Sequence, residues 1–236
     1  LDDAPYDITD IFNELLNDYG FQGKFLCRVD GLTSNIIIPS NTKGVIISGS
    51  VHHIYDNEGK NWKEALSKFV RRYYKQIPIL GICFGHQVIA HALNGEVCPN
   101  PLGKEIGTVP ICVTPEAKQD FLFAEFENNS LVPQSHLDHI VELPKNAVRL
   151  AYNQHSQNQA FKIGKSWGIQ FHPELRPPLF RQLLDGRIKK LEEEKKIDEV
   201  IFYQKKVESL KECPMAIEVL KKFVSHCTQK KESSDS

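Results

Sequence analysis

Cys83 is the side chain of this sequence best suited to nucleophilic chemistry, because it stands at the centre of a G-x-C-x-G pattern, residues 81–85. That pattern is the cysteine form of the nucleophile elbow, in which a buried strand turns sharply into a helix. The turn requires glycines, since it strains the central residue and leaves no room for flanking side chains. Helix N-terminal N–H groups favour a thiolate at this position. Taken alone, the stretch is equally compatible with a buried structural cysteine beside two turn glycines.

His172 and Glu174 form a second candidate pair, at the end of the apolar run in residues 167–171. Pro173 ends the predicted strand, and residues two apart in an extended chain point to the same side. Glu174 can therefore accept a hydrogen bond from the imidazole of His172, fix its tautomer and stabilise its protonated form. Alone, the motif would more simply be a surface His-Pro turn with a solvated glutamate.

Gly49 is the third candidate, because it follows the apolar run in residues 44–48. A glycine at a strand end can present an outward-pointing backbone N–H, which is one half of an oxyanion hole. The other half would be the N–H of Phe84, directly after the cysteine. By itself, Gly49 would be an ordinary glycine in a strand-to-helix loop.

The elements that must position these residues alternate between strand and helix over the first 95 residues. Apolar runs at 44–48 and 78–82 are typical of buried parallel strands, and residues 61–74 have a helical period. This order predicts an α/β fold with a three-layer, doubly wound, mostly parallel sheet, whose sites lie at the carboxyl ends of the strands. Short β-like runs then predict a smaller antiparallel extension of that sheet, at residues 107–113, 139–143, 148–152, 160–163 and 167–171.

The 236-residue chain is long enough to bury one large core. We expect a single α/β domain over residues 1–228, in which 176–228 form a helical C-terminal part. Residues 229–236 are polar and charged, and we expect a disordered tail there.

Composition excludes several classes of partner. The formal net charge is -1 at pH 7, which gives no electrostatic reason to expect nucleic acid or a membrane surface. No apolar run approaches the roughly 18 residues needed to span a bilayer. Six cysteines occur singly, without a C-x-x-C pair, which predicts reduced thiols and a cytoplasmic setting.

Three motifs together resemble the class I, triad-type glutamine amidotransferases: ISGS at 47–50, GICFGHQ at 81–87 and FHPE at 171–174. Their order and separation are similar to those of that family. Two further segments, KEIG at 104–107 and QSHLDHI at 134–140, resemble the family's E-I-G and S-H-x-D segments. The resemblance implies a flavodoxin-like fold and covers roughly residues 1–175.

The resemblance also implies a role for each matching residue. Cys83 would be the nucleophile, His172 the general base and acid, and Glu174 its orienter. The oxyanion hole would be formed by Gly49 and Phe84. The γ-glutamyl substrate would be held by Gln87 and, in a loop that bounds the pocket, by Ser135, His136 and Asp138. No metal or organic cofactor is required by this chemistry, and the scattered histidines lack the spacing of a zinc site.

Three functional hypotheses follow from the resemblance. The first is a free-standing hydrolase of glutamine or another γ-glutamyl compound, as the segment at 48–57 resembles free-standing relatives such as γ-glutamyl peptidases. The second is a glutaminase subunit that delivers ammonia to a synthetase partner, because no P-loop is present in the chain. The third is a non-catalytic regulatory relative that keeps the fold.

Overall fold

The computed structural model describes residues 8–18 and 36–228. The tail expected at 229–236 lies outside the described residues. The helices are α1 (Ile8–Asp18), α2 (Lys60–Tyr73), α3 (Phe84–Ala92), α4 (Pro177–Glu193), α5 (Ile197–Glu208) and α6 (Pro214–Thr228), with a 3-10 turn at Pro115–Gln119. The strands are β1 (Val45–Ile47), β2 (Ile79–Ile82), β3 (Glu96–Pro99), β4 (Glu105–Val113), β5 (Ser130–His136), β6 (Asp138–Glu142), β7 (Val148–Tyr152), β8 (Ala160–Ile163) and β9 (Ser166–Ile169).

A seven-stranded sheet with the order β1-β2-β9-β8-β7-β4-β5 runs through the molecule. β1, β2 and β9 pair in parallel, and the strands from β9 to β5 pair antiparallel. β3 and β6 form a separate antiparallel pair. The α/β fold, with a parallel part and an antiparallel extension, is therefore confirmed. Since β1, β2 and β9 run the same way, the residues that follow all three strands meet at one edge.

Helices cover both faces of the parallel strands and produce the three expected layers. On one face, α2 and α3 bury Phe69, Val70 and Ile89 with Ile79 of β2. On the other face, α1 and α6 pack in the same cluster as Leu80 and Ile82. The strands are apolar on both sides because side chains that alternate along them face a helix layer in either direction.

The C-terminal helices divide between two cores. α6 buries Leu220 and Phe223 in the cluster that contains β2 and β9. α4 and α5 instead form a hairpin with its own cluster, in which Phe180 and Tyr203 pack with Ile106 of β4. A single domain over residues 1–228 remains our proposal, and the burial of α6 in the central core supports it.

β5 was not predicted from the sequence, because Pro133 interrupts a run that is only briefly apolar, at Leu131 and Val132. It forms the outer strand of the seven-stranded sheet, where it pairs only with β4 among the described strands. A proline is tolerated on an edge strand because one side of its backbone needs no partner strand.

Within the described ranges, no helix combines the length and the apolar character that crossing a membrane would require.

Candidate active site

The elbow at Cys83 joins β2 to α3. Cys83 has φ 51° and ψ −102°, a left-handed conformation that is costly for a residue other than glycine. Its backbone is held on both sides: the N–H donates to the carbonyl of Ile169 at 2.8 Å, and the carbonyl accepts from the N–H of Gln87 at 3.1 Å. These bonds fix the strained turn, so the thiol stands at the start of α3.

The two elbow glycines are required by close backbone contacts. A methyl group at Gly85 would lie 2.1 Å from the carbonyl oxygen of Ile47 in β1. One at Gly81 would lie 2.4 Å from the carbonyl oxygen of Gly85. Neither neighbour is a flexible side chain that can rotate away, so any larger residue would push β1, β2 and α3 apart.

His172 and Glu174 form a buried pair just beyond β9. His172 Nδ1 lies 2.7 Å from Glu174 Oε1, and both residues are 2% exposed. His172 Nε2 is buried and has no hydrogen-bond partner among the described residues. Burial alone lowers the pKa of His172, but the Glu174 carboxylate and then the Cys83 sulfur raise that pKa well above its usual value. The imidazole is therefore poised to carry a proton next to Cys83.

Gly49 faces both Cys83 and His172. A methyl group there would lie 2.9 Å from His172 Cε1 and 3.5 Å from Cys83 Cβ. Residues 49, 83 and 172 thus converge at the edge where β1, β2 and β9 end. This is the grouping expected from their positions after parallel strands.

Phe84 is buried at the first position of α3, where its ring centroid lies 5.6 Å from that of Trp62. The first N–H groups of a helix have no acceptor within the helix, and the role of the Phe84 N–H as an oxyanion donor stays a prediction. Further along α3, the amide nitrogen of Gln87 lies 3.3 Å from two oxygens, the Asp138 carbonyl and Gln170 Oε1.

The remaining predicted pocket residues lie in strands rather than in a loop. Ser135 and His136 end β5, and Asp138 begins β6. The Ser135 carbonyl lies 3.9 Å from Cys83 Sγ, which places this turn against the candidate nucleophile. Both His136 and Asp138 are buried. Their contact with a substrate stays a prediction.

The loop after β1 contributes residues that the sequence did not single out. Asp138 Oδ2 lies 2.7 Å from His53 Nδ1, and its Oδ1 accepts from the Tyr55 hydroxyl at 2.9 Å. Burial, followed by the Asp138 hydrogen bond and charge, raises the pKa of Tyr55. Lys63 in α2 donates to the carbonyl of His53, and this hydrogen bond ties the same loop to α2. No local pattern could have shown these contacts, since they link distant positions in the chain.

No group of three or more His, Cys, Asp or Glu side chains in residues 8–18 and 36–228 is arranged to hold a metal ion. The functional groups at the site are instead the Cys83 thiol, an imidazole, a carboxylate and backbone N–H groups. This set is suited to acyl transfer through a covalent intermediate.

Comparison with known proteins identifies the family of this chain. The family model described as Glutamine amidotransferase class-I matches residues 5–188. A curated relative, the glutamine-hydrolyzing GMP synthase of Bacillus subtilis, is 36% identical over 147 residues, which are 61% of this chain and 27% of the relative. A GMP synthase of Bacteroides thetaiotaomicron is 38% identical over 136 residues, 56% of this chain and 25% of the relative. The chain thus spans about a quarter of the length of these relatives.

Solved structures match over almost the whole chain. A glutamine amidotransferase from Thermotoga maritima superposes with a TM-score of 0.75 at 23% identity, covering 93% of this chain and 92% of the other. A glutamine amidotransferase from Methylobacillus flagellatus has a TM-score of 0.69 at 19% identity, with 95% and 92% covered. At these identities the likeness shows the fold.

Proposed function

The chain belongs to the class I glutamine amidotransferase family, and from this membership we propose that it hydrolyses the side-chain amide of glutamine at Cys83. The observation that carries the proposal is the convergence of three distant segments. Gly49 stands against both the Cys83 side chain and the His172 ring, and His172 is bonded to Glu174 at 2.7 Å. A strained cysteine beside a proton-bearing imidazole is the arrangement that nucleophilic acyl transfer requires.

In the first half of the proposed reaction, the Cys83 thiolate attacks the amide carbon of the glutamine side chain. A C–S bond forms, and the carbonyl electron pair moves onto the oxygen. The N–H groups of Gly49 and Phe84 would stabilise that oxyanion. When the intermediate collapses, the protonated His172 gives its proton to the departing nitrogen, so ammonia leaves and a thioester remains.

In the second half, neutral His172 takes a proton from water as the water oxygen adds to the thioester carbon. Collapse of the new oxyanion breaks the C–S bond, which releases glutamate and restores the thiolate and the protonated His172. Glu174 stays ionised throughout and stabilises the imidazolium through its hydrogen bond to Nδ1. The raised pKa of His172 suits it to begin the cycle protonated.

We propose a glutaminase that serves a synthetase in preference to a γ-glutamyl peptidase, because curated relatives that match the chain are GMP synthases. Ammonia released at Cys83 would then be passed to an ATP-dependent synthetase partner. We keep the free-standing hydrolase as the second candidate, since the motif segment at 48–57 resembles such relatives.

The test uses a diazoketone analogue of glutamine, which alkylates an active-site thiol without any partner. We expect one adduct per chain, located on Cys83 by peptide mass spectrometry, and none in Cys83→Ala. Cys112→Ala is the matched control, because Cys112 lies in the antiparallel strand β4, and this variant should be labelled like wild type. If the diazoketone alkylates the wild-type chain no faster than it alkylates the thiol of free glutathione, the proposed catalytic role of Cys83 is wrong and a non-catalytic relative is favoured.

Ammonia release then distinguishes the two catalytic candidates. Full turnover of glutamine by the purified chain would support the free-standing hydrolase. A labelled but slow glutaminase whose rate rises when a GMP-synthase-type synthetase is added would support the ammonia-delivering role.

A further inference from the structure

His136 lies at the end of β5 with its side chain 1% exposed, and each ring nitrogen faces an oxygen. Nδ1 lies 2.9 Å from the carbonyl oxygen of Asp138, and Nε2 lies 2.9 Å from Glu105 Oε2. A carbonyl oxygen only accepts hydrogen bonds, and so does an ionised carboxylate. If Glu105 is ionised, both ring nitrogens must donate, and His136 is a buried imidazolium.

The surroundings of Glu105 favour the ionised form. Its Oε1 accepts from Asn153 Nδ2 at 2.6 Å, and its Oε2 accepts from Gln159 Nε2 at 2.8 Å as well as facing His136. Burial alone would raise the pKa of Glu105, but the hydrogen bond with His136 and the two amide donors hold it below the usual value. A carboxylate with three donors is compensated for its loss of water.

Three neighbouring histidines have lowered pKa values. Burial, with a smaller contribution from the charge of His136, lowers the pKa of His86 to about 3 and also lowers that of His139. The pKa of His155 is lowered first by burial, although Glu105 raises it. The titratable groups that face this cluster are Glu105, Asp138, His86, His139 and His155, with Lys206 beyond His155.

This pair is joined to the candidate active site through a single turn. The Asp138 carbonyl that faces His136 Nδ1 also faces the Gln87 amide nitrogen, at 3.3 Å. The carbonyl of Ser135, next to His136, lies 3.9 Å from Cys83 Sγ. The orientation of these two carbonyls, one against Gln87 and one against Cys83, thus depends on where His136 is held.

We propose that His136 is a buried imidazolium which, with Glu105, positions the β5–β6 turn against Cys83 and Gln87. In this role His136 acts through Asp138 and Gln87, so it is a positioning residue rather than a substrate contact. The charge of His136 follows from its two hydrogen bonds and from those that Glu105 accepts. Its kinetic consequence rests on the proposed glutaminase function.

Nitrogen-15 NMR of the full chain, labelled at histidine, tests the charge. We expect that in His172→Gln one of the eight remaining histidines keeps protons on both ring nitrogens at pH 8. That signal should become neutral in Glu105→Gln and stay unchanged in Glu142→Gln, an exposed glutamate of β6. If no histidine of His172→Gln is doubly protonated at pH 8, the proposal is wrong, whether or not Glu105→Gln folds.

Kinetics test the positioning role. Loss of a charged hydrogen bond of this kind corresponds to about a tenfold effect or more. We expect Glu105→Gln to raise the KM for glutamine, or the half-saturating diazoketone concentration, by about that factor. Alkylation by iodoacetamide, which needs no pocket, should change by less than about twofold. An unchanged KM would overturn the positioning role. So would an equal loss of rate in the diazoketone reaction and in the iodoacetamide reaction.

The two proposals fail separately. A wild-type chain that neither hydrolyses glutamine nor reacts with the diazoketone would refute the proposed function. The NMR result would still decide the charge of His136, because it depends on no substrate.

Discussion

Replacing Gly49 with alanine is a direct test of how tightly the candidate catalytic imidazole is confined. The added methyl carbon would lie 2.9 Å from His172 Cε1. Carbon atoms in favourable contact are about 3.5–4.0 Å apart, so the ring must retreat by roughly 0.6 Å or more. Cys83 Cβ, at 3.5 Å from the new methyl group, needs no shift.

The imidazole has little freedom to retreat. His172 is buried, its backbone N–H donates to the Pro133 carbonyl at 2.9 Å, and its ring is bonded to Glu174. A misplacement of about 1 Å in an active site can cost roughly 100-fold in rate. We therefore expect Gly49→Ala to lower kcat for glutamine about 30-fold, with a smaller change in KM. The overpacking itself should cost about 1–3 kcal/mol of stability.

The assay is initial-rate ammonia release at a temperature well below the melting transition of the variant. Gly186→Ala is the matched control, because a methyl group there meets nothing within 4 Å and alanine favours the helix by about 1 kcal/mol. If Gly49→Ala acts through the ring, its effect should shrink in a Glu174→Gln background, where the ring is already less well held. A kcat within threefold of wild type would refute the reasoning.

Three other substitutions test separate parts of the molecule. Protonated His172 has a raised pKa and stabilises the fold below about pH 6.5, a contribution lost as the pH rises through its folded-state pKa. The melting temperature of wild type should therefore exceed that of Glu174→Gln by less at pH 9 than at pH 6, and a difference that grows with pH would contradict this. Glutamine turnover by Glu174→Gln should also be about 10–100-fold lower than that of wild type at neutral pH. Gly85→Ala should cost about 3 kcal/mol or more in urea unfolding, since its methyl group meets the Ile47 carbonyl oxygen at 2.1 Å, and near-wild-type stability would disprove the contact. Phe223→Ala should cost about 3–5 kcal/mol in a single cooperative transition without changing activity at low temperature, whereas a separate early transition would place α6 outside the central core.

The sequence was most informative where a local motif and a general rule of sheets act together. Cys83 and Gly49 each follow an apolar run typical of a parallel strand, so their convergence could be predicted before any coordinates. His172 could be added because Pro173 ends its strand at the same edge. Close backbone approach at Gly85 was also predictable, since the elbow pattern requires a residue without a side chain.

Side-chain pairs across long separations could not be predicted. His53 and Asp138 are 85 positions apart and share no pattern, and the Glu105–His136 pair joins strands whose register the sequence does not specify. His136 and Asp138 were assigned to a pocket loop by resemblance. His136 instead lies in β5, paired with β4, and this strand was not predicted because Pro133 interrupts it.

The contact between Gly85 and Ile47 has a consequence for how this site tolerates change. Two backbone segments, one before Gly49 and one after Cys83, rest directly on each other without any side chain between them. The spacing of the two candidate oxyanion donors is therefore set by main-chain atoms rather than by side chains, as long as position 85 remains glycine. Side chains of β1 and α3 that point away from this contact can be exchanged for others of similar volume while that spacing persists. The distance between the Gly49 and Phe84 N–H groups should therefore stay constant while the neighbouring side chains change during evolution.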